Sequence, residues 1–372
     1  MPNPHYHVII SGSGPAGCAA AIRLRQQGRK VALVDQVNDQ KLKVGESLPG
    51  AAIRLLRSLG LQSLEELLPT SAFENCVANK SAWGTEQWSY TDALRNPEGG
   101  GWHIMRHTFE AALRQKAIDA GVHFYRGKSG SVRKVGKYTV RFKTPKPELP
   151  EAITANILID ATGRASAVLR QLGITRQHFQ KQMAAVCWLH PKKEDVDKTT
   201  TIKSVSKGWW YTSQLPDGSR VLSFHGLPET VAKMVKDPKW YVQEFNKTQL
   251  INSQITTENI LEGILARDAS VSISKQAAGA DWFAVGDAAL SFDPLSSQGI
   301  FFALYSGLKA ADAILKSSAG EANAINNYQQ QVTEVFKANQ RSRAYFYTIE
   351  KRFLEEDYWK QYQLVGGSAS FR

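Results

Sequence analysis

The stretch that most constrains this chain is "HYHVIISGSGPAGCAAAIRLRQQGRKVALVDQ", residues 5–36. Val8, Ile9 and Ile10 form the short β-branched run of a buried parallel strand. Gly12, Gly14 and Gly17 then make G-x-G-x-x-G, with Ser13, Pro15 and Ala16 between them. In such a turn the first glycine allows the tight bend and the second lets the backbone approach a pyrophosphate. The third lets helix and strand pack closely. A helix rich in small residues follows and closes at Gly28. "KVALVD" is the second strand, and Asp35 ends it where a carboxylate accepts hydrogen bonds from the adenosine ribose. Strand, glycine turn, helix, strand and terminal aspartate predict a dinucleotide-binding unit. These residues alone do not separate FAD from NAD.

The remaining bulk properties narrow the setting. The apolar fraction is 42% and the charged fraction 22%, as in an ordinary globular protein. No window reaches the ~18 uninterrupted apolar residues of a membrane helix, and the N-terminus shows no secretory pattern. The three cysteines, Cys18, Cys76 and Cys187, are odd in number and far apart, with no metal-ligand spacing. The expectation is a cytoplasmic protein without metal or membrane. The net charge is +12. The Lys and Arg are scattered, with no dense basic run and no zinc-finger or RNA-binding signature, so nucleic acid is not the expected partner. An acidic protein surface or an anionic cofactor accounts for the excess.

Several later segments end at predicted strand termini, where open α/β sheets hold ligands. "KVGESLPG", 43–50, reads as a loop turning into the helix "GAAIRLLRSLG". Its Glu46 is either a helix N-terminal charge or, with Ser47, a neighbour of a flavin ring or ribityl chain. "WHIMRHTFEAALRQKAIDAG" reads as an amphipathic helix with Phe109, Leu113 and Ala117 on one face. Arg106 at its start either faces solvent or reaches a pyrophosphate bidentately. Strands follow in "GVHFYRG" and "GSVRKVGKYTVRFKT", and Val132 of the latter is counted with the cofactor-binding set. "ANILIDATGRASAVLRQLG" supplies another strand, with Asp160, Thr162 and Gly163 at its C-terminal end.

"WFAVGDAALSFDPLSSQGIFFALYSGLKAADAIL" repeats the logic near the end of the chain. A buried strand runs to Gly286 and Asp287, and Asp287 can bind a polyol hydroxyl. Pro294 shapes the loop. The helix beginning at Gly299 and Ile300 presents free N–H groups, which suit the negative charge of a reduced flavin.

Five segments in order, "GSGPAG" with Asp35, "VGESLPG", "WHIMRHTFEAAL", "DATGR" and "GDAALSFDPLSSQGI", together resemble the FAD-dependent monooxygenase and halogenase superfamily. The resemblance implies a two-domain α/β fold. A Rossmann-like FAD-binding domain of the aromatic-hydroxylase type would carry an interleaved, mainly antiparallel β-sheet substrate domain and C-terminal helices. It implies that Gly12, Gly14, Gly17 and Asp35 hold the ADP half. Arg106 and Asp287 would bind pyrophosphate and ribityl chain, and Pro294 to Gly299 would lie against the isoalloxazine. "FDPLSSQGI", "NKSAWG" and "GWWYTSQLPDG" look like a narrower branch. Its tryptophan-halogenase-like flavoproteins mature the cysteine tryptophylquinone of amino-acid oxidases such as glycine and lysine oxidases. That branch implies oxygenation of a tryptophan in a partner protein, the precursor of a quinone-cofactor oxidase, which the net charge predicts to be acidic. NAD(P)H or a separate reductase would supply electrons.

Two departures stand against a halogenase. The halogenase Gly-Trp-x-Trp-x-Ile-Pro becomes "GWWYTSQLP", with Tyr211 in place of the second Trp and no Ile-Pro. The catalytic lysine that precedes a tryptophan matching Trp83 falls on Glu74 or Asn75, and Lys80 is out of register. The expected division is FAD-binding at 1–75, 102–175 and 271–325, substrate-domain strands at 76–101, a substrate domain at 176–270, and helices at 326–372. In the middle region Trp188, Trp209, Trp210 and Tyr211 either line the substrate pocket or pack the core. No catalytic residue is singled out. The rival functions are hydroxylation or halogenation of a small aromatic molecule, reduction of a prenyl chain, and a non-catalytic flavoprotein chaperone.

Overall fold

The computed structural model describes residues 3–37, 42–92 and 99–363; residues 364–372 of the expected C-terminal segment lie outside them. The strands His123–Arg126, Val31–Asp35, His5–Ser11 and Ala152–Asp160 lie side by side and parallel, and Trp282–Ala284 joins Ala152–Asp160 in parallel. Lys137–Phe142 and Ser129–Val135 extend the sheet antiparallel. The near-continuous apolar runs 8–10 and 31–34 are buried on both faces: Val8, Ile10, Val31 and Leu33 pack against helices, and Ile9, Ala32 and Val34 against Tyr138, Val140 and Phe142 of the antiparallel strands.

Helix Pro15–Gln26 packs along helix Gly299–Ser318. A β-carbon at Gly307 would stand 2.3 Å from the Ala16 carbonyl oxygen, so only glycine admits this crossing. Ala16 is at the first turn of one helix, whereas Gly307 lies eight residues into the other. The second helix therefore begins eight residues, roughly 12 Å of helix length, before the crossing, whereas the first begins beside it.

The second sheet has the order Leu265–Asp268, Met183–Leu189, Arg220–Gly226, Gly208–Gln214, Thr200–Val205, Ala78–Ala82, Ser89–Asp92. All its pairings are antiparallel except Thr200–Val205 with Ala78–Ala82. Helices Pro228–Lys236 and Pro238–Thr248 cover its outer face, and the inner face looks back at the first sheet. The chain crosses between the sheets several times, so each is assembled from distant segments. Helix Ala324–Ile349 then runs back along the molecule: the Tyr328 hydroxyl donates to the Ala284 carbonyl, 2.5 Å away.

Two sequence readings shift. The segment 102–121 is not all helix: Trp102–Ile104 is a strand paired with both Ser47–Leu48 and Phe73–Asn75, and the helix starts at Arg106. The strand before Gly286 stops at Ala284, and Gly286–Ala288 form a single 3₁₀ turn. Among the described residues no helix is long and apolar enough to cross a membrane, and no cluster suits a metal ion.

Candidate active site

A cleft of about 710 Å³ runs between the sheets. One end is built by the glycine turn. Gly12 has φ +106°, and a β-carbon there would meet the Ala161 carbonyl oxygen at 2.2 Å. Gly17 presses against Gly12, its notional β-carbon 2.0 Å from that residue's oxygen. Gly14 differs, since a β-carbon there would meet nothing within 4 Å. Helix Pro15–Gln26 has no side-chain cap at its N-terminus, and Gly14, Pro15 and Ala16 line the cleft. Its first N–H groups are therefore available to an anion. Asp35 lies beside them, its Oδ2 accepting from the Ser13 N–H and Oγ, each at 2.7 Å.

The middle of the cleft is lined by Arg106, Gly163, Gly286 and Asp287. Arg106 Nε is 2.8 Å from Glu110 Oε1, and its NH1 donates to the Gly45 carbonyl at 3.1 Å. Glu110 also pairs with Lys43. Burial opposes ionisation of Glu110, but Arg106 and Lys43 outweigh it and hold its carboxyl below the usual range. Asp287 is partly exposed and faces Arg164 Nε at 3.5 Å.

At the far end Pro294, Gly299 and Ile300 form the floor. Helix Gly299–Ser318 also begins without a side-chain cap, and Gly299 has open space where a β-carbon would stand. The roof is three cross-strand rows of the second sheet. Ala184, His225 and Trp209 are directly opposite one another; so are Val186, Ser223 and Tyr211; so are Trp188, Val221 and Ser213. The first two rows line the cleft. The His225 ring stacks on Trp209 at 3.8 Å, and its Nε2 pairs with Ser223 Oγ at 2.9 Å. Burial pushes His225 down to about 3, so it is neutral at physiological pH.

Behind the floor is an aromatic cluster that includes Trp209, Tyr347, Tyr358, Trp359 and Tyr362. Trp209 Nε1 donates to the Tyr347 hydroxyl at 3.1 Å, and that hydroxyl donates to Asp293 Oδ2 at 3.0 Å. Asp293 lines the cleft, fully buried, 3.4 Å from Arg343 Nε. Burial raises its carboxyl despite the Arg343 charge.

Several expected site residues sit elsewhere. Trp210 points to the opposite face of its strand, among Phe224, Tyr241 and Phe245, because side chains alternate along a strand. Trp188 shares the inner face but lies in the third row and packs into the core. Asp160 is buried and caps the helix Ala167–Gln171, accepting from the N–H groups of Val168 and Leu169 and from Thr162. Val132 packs against the first sheet's core, while Lys128 and Ser129 line the cleft in its stead. Ser13 and Gly17 shape the turn from behind. The cleft residues that motif reading missed are Ser223, His225 and Asp293, with Arg343 and Tyr347 behind them. Alternation in "SRVLSFHG" puts Val221, Ser223 and His225 on one face, and this was the available signal.

Two uncapped helix N-termini, an acidic strand end and an elongated cleft fit a dinucleotide whose second half is a ring system. These features define a flavin-dependent oxidoreductase of the monooxygenase and halogenase type, with FAD as cofactor. The chain belongs to the FAD binding domain family, which matches residues 5–342. It is 24% identical over 361 residues to the putative FAD-dependent oxidoreductase LodB of Marinomonas mediterranea, covering 96% of each chain. It is 26% identical over 377 residues to a tryptophan 2-halogenase of Chondromyces crocatus, covering 94% of this chain and 71% of the halogenase. The solved structure of the peptidyl tryptophan dihydroxylase QhpG, essential for tryptophylquinone cofactor biogenesis, superimposes with a TM-score of 0.77 at 22% identity. That superposition covers 96% of this chain and 79% of QhpG.

Proposed function

We propose that this protein is an FAD-dependent oxygenase that modifies a tryptophan side chain of a partner protein during biogenesis of a cysteine tryptophylquinone cofactor. The observation that carries the reading is the make-up of the roof. Of the described lysines that line the cleft, Lys43 is held in an ion pair by Glu110 beside Arg106 and Lys128 lies next to Ser129, while Lys80 stacks its ammonium over Trp88. The inner rows hold Ala184, Val186, Trp209, Tyr211, Ser223 and a neutral His225. Among the described residues these rows offer no amine to relay a hypohalous acid, whereas a neutral indole finds apolar contact and a few polar handles. The match to LodB along nearly the whole of both chains supports the same branch, as does the fold shared with QhpG.

Bound FAD would supply two-electron reduction and the activation of dioxygen. The chain does the rest. Gly14 and the first helix turn admit the pyrophosphate, and Asp35 meets the ribose. The helix at Gly299 lends its dipole to the ring, and the roof shields the reacting atoms from water. The expected partner is an acidic precursor protein, and the electron donor is NAD(P)H or a separate reductase. The reading is tested by supplying reduced, FAD-loaded protein with free tryptophan plus chloride or bromide, and separately with a tryptophan-containing precursor. Oxygenation of the precursor alone is expected. Halogenation of free tryptophan at rates unaffected by any partner would reject the reading in favour of the small-molecule halogenases among its relatives.

A further inference from the structure

The charged groups of the cleft are answered within the fold: Glu110 holds both Lys43 and Arg106, and the buried Glu46 accepts the Gly45 N–H at 2.8 Å. The outer face of the second sheet is different. It carries two tryptophans, each with two lysines over its ring. Lys80 Nζ lies 4.3 Å and Lys203 Nζ 6.0 Å from the centre of Trp88. Lys233 Nζ lies 4.2 Å and Lys207 Nζ 5.5 Å from the centre of Trp240. Both tryptophans are half-buried against the same apolar cluster. On the sheet Lys80 stands opposite Tyr90, and Lys203 stands opposite Trp210, which packs beneath the outer helices. Lys203 Nζ also donates to the Thr248 carbonyl at 3.4 Å, at the end of helix Pro238–Thr248, and Trp240 stands in the first turn of that helix. The two lysine pairs therefore belong to one continuous surface.

An aromatic ring holds an ammonium in place without cancelling its charge. Among the described residues Lys80, Lys207 and Lys233 form no ion pair, and of the four only Lys203 has one, with Glu86. Nearby carboxylates are engaged elsewhere: Asp237 accepts the Trp240 N–H at 3.1 Å, and Glu244 pairs with Lys247. Tyr90, 61% exposed and 5.8 Å from Lys80 Nζ, adds an apolar edge. We propose that this surface docks an acidic segment of a protein partner, whose carboxylates pair with Lys80, Lys207 and Lys233. Ring contact already restrains these side chains, so less rotamer freedom is lost on binding. Nucleic acid fits less well. The cations are lysines, without the two-pronged phosphate geometry of arginine, and the tryptophan faces that could stack on bases carry the chain's own ammonium groups. The surface lies outside the cleft, so the inference does not depend on the reaction proposed above.

The test uses the full-length, FAD-loaded protein and the fluorescence anisotropy of a fluorescein-labelled alternating Glu-Ser peptide at low salt. One variant combines Lys80→Gln, Lys207→Gln and Lys233→Gln. A second combines Lys137→Gln, Lys143→Gln and Lys275→Gln, which removes the same charge from exposed lysines outside the second sheet. The first should lose about 10-fold in peptide affinity, as expected for three exposed ion pairs. The second should stay within about twofold of the parent, because screening limits the reach of distant charges. Both should keep the flavin content and melting temperature of the parent. Equal losses in the two variants, or no loss in the first, overturn the proposal, since net charge alone would then govern binding. A single-stranded oligonucleotide in place of the peptide should lose equally little in both variants. An oligonucleotide that binds the parent more tightly than the peptide, and is released by the first variant alone, would make the surface a nucleic-acid site and overturn the proposal.

Discussion

The three glycines of residues 12–17 should separate into two that hold the fold and one that faces the cofactor. Gly14 has φ −70° and ψ −178°, extended backbone that any residue adopts, and a β-carbon there meets nothing within 4 Å. Gly14→Asp should therefore leave the stability of the FAD-free protein within about 0.5 kcal/mol of the parent. Its carboxylate, however, would share the glycine turn with a diphosphate. At about 4 Å and an effective dielectric near 20, each unit-charge repulsion amounts to roughly 4 kcal/mol. Screening and rotation of the side chain away from the phosphates reduce this to ~2–4 kcal/mol, or about 30- to 1,000-fold in FAD affinity. Gly14→Ala should change affinity by only a few-fold. Gly12→Ala should behave in the opposite way. Its backbone is left-handed, at φ +106°, and the added carbon would sit 2.2 Å from the Ala161 oxygen, so the fold itself should lose at least ~2 kcal/mol. Denaturant melts of the FAD-free proteins, paired with FAD titrations followed by flavin fluorescence, separate the two effects. The reasoning is refuted if Gly14→Asp titrates FAD like the parent, or if it weakens FAD only in step with a loss of fold stability.

Three further outcomes are expected. Asp287→Ala should release FAD while melting close to the parent, because the side chain is partly exposed and its ion pair with Arg164 is long, at 3.5 Å; unchanged flavin content with a lower Tm would make the residue structural. Arg343→Met should cost ~3–5 kcal/mol near neutral pH by leaving the Asp293 carboxylate buried without its cation. Burial already raises the folded-state pKa of Asp293. Loss of Arg343 raises it further, so the deficit should shrink as pH falls and the carboxyl protonates; denaturant melts at pH 5 and 7.5 that give the same deficit would contradict this. Association with an acidic precursor should weaken markedly between low salt and 0.5 M, where the screening length is on the order of 4 Å, given the net charge of +12; binding by calorimetry that ignores salt would remove the charge argument.

The parts of the molecule that were legible in advance are those where local chemistry dictates geometry. The glycine turn at 12–17 announces itself because Gly12 and Gly17 leave no room for a β-carbon, and the helix after Gly299 because a long apolar run begins there without a capping side chain. The parts that were not legible depend on which face of an element a neighbour covers. Trp209 and Trp210 are equivalent as letters, and only the pairing of 208–214 with 220–226 assigns one to the cleft and the other to the helices outside. Asp160 reads as a ligand at a strand end, yet the short helix that folds over it engages Oδ2 and Thr162 engages Oδ1. Asp293 and Arg343 lie fifty residues apart in sequence, and nothing local predicts that the long helix 324–349 carries that guanidinium back beneath the cleft. Strand 102–104 was concealed because Trp102 and Met105 fall at i−7 and i−4 from Phe109 and so continue the apolar spacing of the helix that follows.

The central claim, that the cleft delivers oxygen to a tryptophan held in another protein, is tested most directly by mass spectrometry of a candidate quinone-oxidase precursor produced with and without this protein. The account predicts a mass gain of oxygen confined to a tryptophan-containing peptide, present only in the co-expressed sample and lost with Gly14→Asp. An unmodified precursor recovered in complex with the FAD-loaded protein, with no oxygen consumed, would contradict it.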